Sequence, residues 1–377
     1  MERGLGDLST RELTETRYPC GQCGAMLTYA VGSGDLECRY CGHRNAIATT
    51  NDPVKESDFH AALRELQRAP AIAPEKTVVK CVQCAAEFNL DTYTHAGECP
   101  FCGTAVITST GHIKPIKAKA LLPFAITDKQ AREYYKKWLS GLWFAPSALK
   151  DYAREDSRLN GVYIPYWTYD SGTVTAYAGM RGDVYYVQRS YTSFENGRQV
   201  QRTRMESRIR WTPVNGRTQR HFDDVLVGAT HSLPRTITDW LEPWDLENLE
   251  PYSEAYLSGF NSEVYQVGLD EGFDIAKVAM DNIIRNDVRQ SIGGDQQRIT
   301  QLHTQHSDTT FKHVLLPLWS ASFQFRKKTY RFVVNGRNGQ TRGERPYSVL
   351  KIVSTAILII VLLVGGLYGL DHYGMLR

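Results

Sequence analysis

Eight cysteines, arranged as four Cys-x-x-Cys pairs, are the residues of this sequence whose types and spacing best suit chemistry. The first quartet is Cys20, Cys23, Cys38 and Cys41, and the second is Cys81, Cys84, Cys99 and Cys102. In each quartet 14 residues separate the two pairs, and the second quartet repeats the first at an offset of 61 positions. A Cys-x-x-Cys turn directs two thiolates at one point, and two such turns complete a tetrahedral site suited to Zn²⁺. The sequence therefore predicts two zinc ribbons, at residues 17–48 and 78–110.

The composition of each quartet indicates the role of its metal. Four thiolate ligands leave no open coordination position, so the two Zn²⁺ ions are expected to be structural. A redox dithiol and an iron–sulfur cluster are the alternatives that the same motif allows. All eight cysteines precede Gly103 in closely spaced pairs, which favours metal ligation in a reducing compartment over a disulfide framework.

The ribbons must be positioned by the elements around them. Residues 49–77 form a linker in which Ser57 is predicted to cap a short helix with Phe59, Ala62, Leu63 and Leu66 on one face. This helix is interpreted as a packing spacer between the ribbons, with a partner-binding helix as the alternative.

Residues 111–347 are predicted to form an α+β domain with antiparallel sheets. A helix with a capping box is expected from Thr127, with Gln130 as its third residue, and a second helix is expected from Pro146 to about Glu155. Helical periodicity recurs over 273–288. Strand-like segments extend from Val162 to about Val227. The aromatic residues Tyr163, Tyr166, Trp167 and Tyr169 are predicted to belong to the sheet core rather than to a base-stacking platform.

Two short strings suggest that this domain is duplicated. Val-Tyr-Ile-Pro-Tyr-Trp at 162–167 and Val-Leu-Leu-Pro-Leu-Trp at 314–319 share their valine, proline and tryptophan in identical register, 152 positions apart. Helical sequence precedes each string and a hairpin-like pattern follows it. We therefore expect a pseudo-duplicated fold with halves at about 120–230 and 250–345.

Charge is distributed unevenly along the chain, although the net charge is only +3. Nine arginines lie between Arg181 and Arg220 against three acidic residues, whereas 236–276 contains ten acidic residues and neither lysine nor arginine. Two solvated surfaces are the simplest interpretation. The alternative is that the 181–220 arginines bind nucleic acid and the acidic stretch binds a protein.

The C-terminal region is predicted to cross a membrane. Nineteen residues from Ile352 to Leu370 contain no charge, and as a helix they would span roughly 28 Å, close to the thickness of a hydrocarbon core. Arg342, Arg345 and Lys351 precede the uncharged stretch of the predicted helix at 350–370. The positive-inside rule therefore places the N-terminal bulk in the cytoplasm and the tail, 371–377, across the inner membrane. The start of the chain has no apolar segment of a secretory signal.

The apolar segment also contains Gly365-x-x-x-Gly369, a spacing that lets two membrane helices approach closely. It predicts a homodimer. The sequence contains no phosphate-binding loop, zinc-protease helix or nucleophile-elbow motif, so a non-catalytic protein is expected.

Several longer strings resemble one family. They are both ribbons, Leu-Pro-Phe at 122–124, Lys-Trp-Leu-Ser-Gly-Leu-Trp-Phe-Ala-Pro at 137–146, Gly-Val-Tyr-Ile-Pro-Tyr-Trp-Thr-Tyr-Asp at 161–170, Phe-Asp-Asp-Val-Leu-Val at 222–227, Leu-Glu-Pro-Trp-Asp-Leu at 241–246, Val-Val-Asn-Gly at 333–336 and Gly-Glu-Arg-Pro at 343–346. Together they resemble bacterial TFIIB-type zinc-ribbon membrane proteins, often labelled primosomal protein N′ (replication factor Y), superfamily II helicase.

The resemblance implies a bacterial membrane protein whose functional residues are the eight cysteine ligands. A helicase requires a phosphate-binding loop that this sequence lacks, so the helicase label is interpreted as a consequence of ribbon similarity. Relatives that act beside phage-shock-type or flotillin-like membrane proteins imply an adaptor or scaffold role. The sequence thus gives three functional hypotheses. They are a membrane-tethered protein-binding scaffold, a nucleic-acid-binding protein without helicase activity, and an unrecognised enzyme, which would need a deep polar pocket with converging ionisable residues in the central domain.

Overall fold

A computed structural model describes residues 18–47, 54–68, 77–80, 87–90, 94–98, 105–107, 116–146, 159–195, 198–325, 328–344 and 347–372. The fold mixes helices with antiparallel sheets, in agreement with the predicted class. The strands are β1 (Leu27–Ala30), β2 (Asp35–Cys38), β3 (Arg44–Ala46), β4 (Ser57–Asp58), β5 (Thr77–Lys80), β6 (Glu87–Leu90), β7 (Thr94–Glu98), β8 (Ala105–Ile107), β9 (Ala120–Leu121), β10 (Asn160–Glu195), β11 (Arg198–Gly228), β12 (Glu250–Pro251), β13 (Asn261–Glu263), β14 (Gln296–Phe325), β15 (Lys328–Asn335) and β16 (Thr341–Gly343). The helices are α1 (Phe59–Arg68), α2 (Asp128–Ser140), α3 (Arg235–Thr238), α4 (Leu269–Ile292) and α5 (Val349–His372).

Three very long strands organise the body of the protein. β10 lies at the centre, antiparallel to β14 on one side and to β11 on the other. The sequence predicted a series of shorter strand segments here, whereas β10 and β11 run continuously through the region. Bulges next to Asp170 and near Ala178 shift the register locally and increase the twist of the strands. The strands continue through these positions without an intervening turn. The helix expected from Pro146 to about residue 155 lies mostly outside the described residues.

Two helices predicted from the sequence pack on this sheet, although α4 begins at Leu269, before the predicted periodicity. At the start of α2, the Thr127 and Gln130 side chains form the predicted capping box. The longer α4 covers the prediction at 273–288 and ends at Gly293, whose φ of 67° lies in the left-handed region that favours glycine. The face of α4 that packs on β10, β11 and β14 is buried and includes Met280, Ile284, Val288 and Ile292.

The two related strings pair with each other at the centre of the sheet. Ile164 lies opposite Leu316, the residue that corresponds to it after the shift of 152 positions, and the neighbouring pairs are symmetric about this point. Tyr166 pairs with Val314 just as Val162 pairs with Leu318. The register thus follows a local two-fold relationship.

The surrounding contacts obey the same relationship. β9 runs parallel to β14 at Val314, and β13 runs parallel to β10 at Val162. The indole N–H of Trp319 donates to the Ile126 carbonyl at 2.8 Å, and that of Trp167 donates to the Val267 carbonyl at 3.0 Å. Among the described elements, a short strand, a helix and a long strand follow one another twice along the chain, as β9–α2–β10 and as β13–α4–β14.

The aromatic run of β10 belongs to the core, as predicted. Tyr163, Tyr166, Trp167 and Tyr169 are almost completely buried, so their rings are not accessible for stacking on bases. The nucleic-acid interpretation of these four residues is therefore wrong.

The linker helix α1 packs on the body of the protein. The prediction that Ser57 caps it is wrong, since the Asp58 carboxylate accepts the hydrogen bond from the Ala61 backbone N–H at 2.5 Å. Ser57 instead pairs with Phe311 of β14. The apolar face of α1 was identified correctly, but Phe59 is buried against Tyr169 and Phe273. That face is consequently unavailable to a partner, because α1 packs it against the body of the protein.

Among the described residues, one helix is long and apolar enough to cross a membrane. The 18-residue stretch Val349–Gly366 of α5 has a mean hydropathy of 2.5, and none of it is buried in the protein. The start of α5 is fixed by Ser348, whose N–H donates to the Phe144 carbonyl at 2.8 Å, and by the Lys351 ammonium, which donates to the Ala145 carbonyl at 2.8 Å. The helix extends into the predicted tail as far as His372, and 373–377 lies outside the described residues.

Candidate metal centre

The first cysteine quartet is built from two equivalent turns. In one, the Gly24 N–H donates to the Cys20 carbonyl, and in the other the Gly42 N–H donates to the Cys38 carbonyl, both at 2.9 Å. Gly24 and Gly42 have φ angles of 73° and 71°. A Cβ is strained at such angles, which explains glycine at both positions. β1, β2 and β3 form a small antiparallel sheet between and after the turns.

These turns bring four sulfur atoms together. The Sγ atoms of Cys20 and Cys41 are 3.6 Å apart, those of Cys23 and Cys38 are 3.5 Å apart, and all four lie within 4.8 Å of one another. A tetrahedral zinc site with Zn–S bonds of about 2.3 Å requires sulfur separations of roughly 3.8 Å. The quartet could therefore hold one metal ion with little movement of the backbone.

Backbone amides make the site favourable for thiolates. The backbone N–H of Cys41 is the largest influence on Cys38 and, with that of Tyr40, outweighs burial and lowers the pKa of the Cys38 thiol to about 7. For Cys41 the His43 N–H lowers the pKa, but burial and the three neighbouring sulfurs raise it to about 12. Crowding of four sulfurs thus opposes full ionisation, and a divalent cation would relieve that repulsion.

The quartet is anchored to the body of the protein. Cys20 and Cys38 are buried with Leu27, Tyr29 and Leu36 in a cluster that also contains residues of the central region. The Tyr29 ring meets the Tyr256 ring edge-on at 5.3 Å. Backbone contacts reinforce this, because the Tyr29 N–H donates to the Ser258 carbonyl and the Ser258 hydroxyl donates to the Leu27 carbonyl. Any metal bound here would be fixed relative to the large sheet.

The second quartet, Cys81, Cys84, Cys99 and Cys102, lies outside the described residues. The strands that flank it can still be compared with the first ribbon. β7 pairs with β8 as Ala96–Ile107, Gly97–Val106 and Glu98–Ala105, and the pairs of β2 with β3 are those of the same positions shifted back by 61. The Lys80–Glu87 pair likewise corresponds to the bridge between Pro19 and Met26.

A partly buried polar cluster went unnoticed in the sequence. The Lys312 ammonium lies 3.0 Å from a Glu56 carboxylate oxygen and 2.7 Å from one of Asp224. The Asp170 carboxylate accepts from the Asp224 backbone N–H at 2.6 Å. Carboxylate oxygens of Glu56, Asp170 and Asp223 also lie within 4.8 Å of one another, although Glu56 and Asp223 are exposed. Because Lys312 already supplies a positive charge, we interpret the cluster as a partly buried salt-bridge network that secures the segment before α1.

Two carboxyl groups of this network titrate in opposite directions. Burial, followed by the hydrogen bond with Glu56, raises the pKa of Asp170 to about 7. The hydrogen bond from Asp170, together with those from Thr310 and Lys312, lowers the pKa of Glu56 to about 2. The pair therefore shares one proton below neutral pH. In the sequence, the only signal that could have indicated this network is Asp170, a single acidic residue that directly follows the aromatic run ending at Tyr169.

The 181–220 arginines lie on β10 and β11. β14 pairs with β10 only as far as Gly182, opposite Gln296, so β10 and β11 continue beyond it as a two-stranded ribbon. We call residues 184–194 and 199–209 the arm. It projects roughly 35 Å at about 3.3 Å per residue. Tyr186, Phe194 and Met205 are 65%, 74% and 65% exposed on it.

Comparison with known proteins places one protein beside this chain. It is similar to a Bacillus subtilis (strain 168) protein described as "Uncharacterized protein YdjG", at 26% identity over 345 residues, which cover 89% of this chain and 92% of that protein. The similarity therefore extends well beyond the cysteine quartets. No protein-family model matches the chain, and no solved structure matches it.

Proposed function

We propose that this protein is a non-catalytic adaptor of the TFIIB-type zinc-ribbon kind, tethered to the cytoplasmic face of the inner membrane, that binds partner proteins. The observation that carries the proposal is the arm. A two-stranded ribbon has no core of its own, and large exposed apolar side chains on such an element are typical of a contact surface. The partners proposed from family resemblance are phage-shock-type or flotillin-like membrane proteins.

Zinc has a structural role in this proposal. The closed geometry of Cys20, Cys23, Cys38 and Cys41 supports one Zn²⁺ that stabilises the first ribbon. The matching strand pairs β7–β8 and β2–β3 support a second Zn²⁺ on Cys81, Cys84, Cys99 and Cys102. Both ions would hold small sheets that bury too little surface to be stable without a cross-link.

The body of the protein is proposed to be a duplicated unit. The symmetric pairing about Ile164 and Leu316 supports this, as do the equivalent tryptophan hydrogen bonds to Ile126 and Val267. In the second half the hairpin of β14 and β15 is short, whereas in the first half β10 and β11 extend into the arm. We propose that this extension of one copy created the binding surface.

Partner capture by variants tests the adaptor proposal. In one variant, residues 187–206 are replaced by Asn-Gly, which closes the directly paired Tyr186 and Ser207 with a two-residue turn and removes most of the arm. Proteins crosslinked in intact membranes are then purified with the full-length and shortened chains. We expect the same partner to be recovered with the full chain and lost with the short arm. Equal recovery from both would overturn the proposal.

A second candidate function, nucleic-acid binding, has an observation of its own. The Arg204 guanidinium lies over the Tyr191 ring at 5.7 Å, and that of Arg210 lies over the Tyr185 ring at 5.1 Å. Basic and aromatic groups on a two-stranded ribbon are suited to the phosphates of nucleic acid. Replacement of Arg202, Arg204, Arg208 and Arg210 by Ala should then weaken DNA binding and flatten its salt dependence. A wild-type protein that binds no DNA at low salt excludes this function.

A further inference from the structure

The two faces of the arm differ sharply in charge. In an antiparallel ribbon, directly paired residues share a face and alternate residues point to opposite faces. One face of the arm consists of Val184, Tyr186, Gln188, Ser190, Thr192, Phe194, Gln199, Gln201, Thr203, Met205, Ser207 and Ile209. None of these twelve residues carries a charge. We call this the uncharged face.

The opposite face contains all the charge of the arm. It consists of Tyr185, Val187, Arg189, Tyr191, Ser193, Val200, Arg202, Arg204, Glu206 and Arg208. This face carries four arginines and one glutamate, Glu206. The Arg189 guanidinium lies 3.3 Å from the Glu206 carboxylate. We call this the arginine face. It lies on the same side of the sheet as α4, whose C-terminal residue Ile292 reaches Gly179.

We infer that the uncharged face binds the same face of a second copy of this chain, so that the protein is a homodimer joined through its arms. This inference rests on the proposed membrane tether for the orientation of the two copies. It concerns a different surface from Gly365 and Gly369 of α5. It assigns the uncharged face to the dimer and leaves the arginine face, with exposed Tyr185, Tyr191 and Val200, to the captured protein of the adaptor proposal.

Charge identifies the second copy as the occupant. A two-fold interface brings each surface against itself, so any net charge on it is repeated on the partner. The arginine face would place like charges opposite one another, which is destabilising. The uncharged face has no such penalty, and its Tyr186, Phe194 and Met205 supply apolar surface that is exposed in the monomer. It is therefore self-complementary.

A lipid surface fits this face less well. The start of α5 contacts the segment that follows α2, through the hydrogen bond from Ser348 to Phe144. α2 itself packs on β15 and β16, near the Asn160 end of β10. The uncharged face begins roughly 75 Å farther along β10, at about 3.3 Å per residue. The cytoplasmic leaflet is anionic and would attract the arginine face instead.

The size of the face agrees with a dimer that needs the tether. A surface about 35 Å long and about 15 Å wide would bury roughly 1,000 Å² in total across two copies, near the lower limit of specific interfaces. Two chains anchored in one membrane meet at a raised effective concentration, which strengthens a small interface. Because both helices would insert with the same orientation, the arms would run parallel, with Phe194 close to Phe194 of the second copy.

Matched photo-crosslinking tests the dimer in intact membranes. p-Benzoylphenylalanine is placed in the full-length chain at Tyr186 or Phe194 on the uncharged face, and at Tyr185 or Tyr191 on the arginine face. All four positions are exposed aromatic residues of the same ribbon, so the probe changes little but the direction it faces. We expect a covalent homodimer from positions 186 and 194, at least about tenfold more abundant than from 185 and 191.

Charge substitutions supply the second arm of the experiment. With the probe at position 194, Met205→Glu should reduce the covalent dimer at least about tenfold, because two carboxylates would meet in the interface. Val200→Glu adds the same charge to the arginine face and should leave the dimer unchanged. Membrane content and circular dichroism of both variants confirm that the chain is folded.

Four outcomes overturn the inference. They are the lack of a dimer band from 186 and 194, equal bands from both faces, crosslinking of the uncharged face to a different protein, and loss of the dimer in Gly365→Leu with Gly369→Leu but not in Met205→Glu. Failure of the adaptor proposal is a separate result, because the full-length and shortened chains could recover partner proteins equally while the full-length chain still forms the covalent homodimer.

Discussion

Individual cysteines decide whether the first ribbon holds its metal. The Sγ atoms of Cys23 and Cys38 are 3.5 Å apart, and Cys38 also ends β2 and is buried in the cluster that joins the ribbon to the body. A change at Cys38 therefore affects both ligation and packing. Cys23 and Cys41 are exposed, so the ion would lie at the edge of this shared core.

We predict that Cys38→Ser loses one of the two proposed zinc ions. Three thiolates and a hydroxyl bind Zn²⁺ far less tightly than four thiolates, so the bound metal should fall from about two equivalents to about one. Elemental analysis of the detergent-purified protein measures this. Ser33→Ala, in the turn of the same ribbon, serves as a control and should retain both ions. Wild-type protein with far less than two equivalents would contradict the two-site proposal.

Asp170 makes the stability of the body depend on pH. Its pKa is raised to about 7 from an ordinary value of 3.8, so the folded chain holds a proton that the unfolded chain releases. Stability from this group is therefore present at low pH and declines as the pH rises from about 4 to about 7. Glu56, with its lowered pKa, loses its contribution only as the pH falls toward 2 and does not interfere in this window.

Asp170→Asn should remove that dependence. The amide can donate to Glu56 and accept from the Asp224 N–H, as the protonated acid does, but it never ionises. We expect a Tm higher than that of the wild type at pH 8, by about 2 °C or less for each kcal/mol gained. The gain should be smaller at pH 5 and should vanish near pH 4, where Asp170 is protonated in the folded chain and begins to be protonated in the unfolded chain as well. Tryptophan fluorescence during thermal unfolding measures it. A pH-independent difference would show that the effect is one of packing rather than ionisation.

At the scale of elements, β4 and α1 connect the ribbons to the body. Two neighbouring residues have different roles there. Ser57 extends the sheet by pairing with Phe311, and Asp58 caps α1. Phe59 then buries its ring between Tyr169 and Phe273. The linker helix α1 is consequently docked on the body of the protein.

The two cap candidates give a direct comparison. We predict that Asp58→Ala weakens the first turn of α1 by about 1 kcal/mol, because the Ala61 N–H loses its acceptor. Ser57→Ala should have little effect on the helix. Hydrogen exchange of the α1 amides in the full-length protein measures both, with faster exchange expected for Asp58→Ala alone. Equal protection in the two variants would show that burial of Phe59, rather than the cap, holds α1.

At the scale of the whole molecule, the first cysteine quartet and the start of α5 both contact the body of the protein. The first ribbon docks through Tyr29 and Ser258, α5 begins against Phe144 and Ala145, and the arm extends from the far end of β10. This arrangement would hold the arm far from the membrane. Such geometry suits a protein that reaches partners in the cytoplasm while remaining anchored.

Removal of residues 349–377 tests the anchor. We predict that the shortened chain is recovered in the soluble fraction and that the full chain stays with membranes after a high-salt wash, because α5 is apolar and none of its candidate span is buried in the protein. Fractionation followed by immunoblotting measures both. Recovery of the intact chain without detergent would contradict the membrane assignment.

The sequence by itself determined the features that depend on local spacing. The two Cys-x-x-Cys turns of the first quartet, the capping box at Thr127 and the apolar segment of α5 are encoded within a few residues of one another, so their chemistry could be predicted directly. The related strings at 162–167 and 314–319 were also visible. Their duplication remains a proposal, now supported by a symmetric register.

Only the tertiary structure decided what depends on contacts between distant segments. The pairing of Glu56 with Lys312 and of Asp170 with Asp224 joins residues far apart in the chain, and no local pattern marks them. The exchange of roles between Ser57 and Asp58 depended on the edge of β14. The two faces of the arm appeared only when the register of β10 with β11 was known, because a shift of one residue would have exchanged every side chain between them.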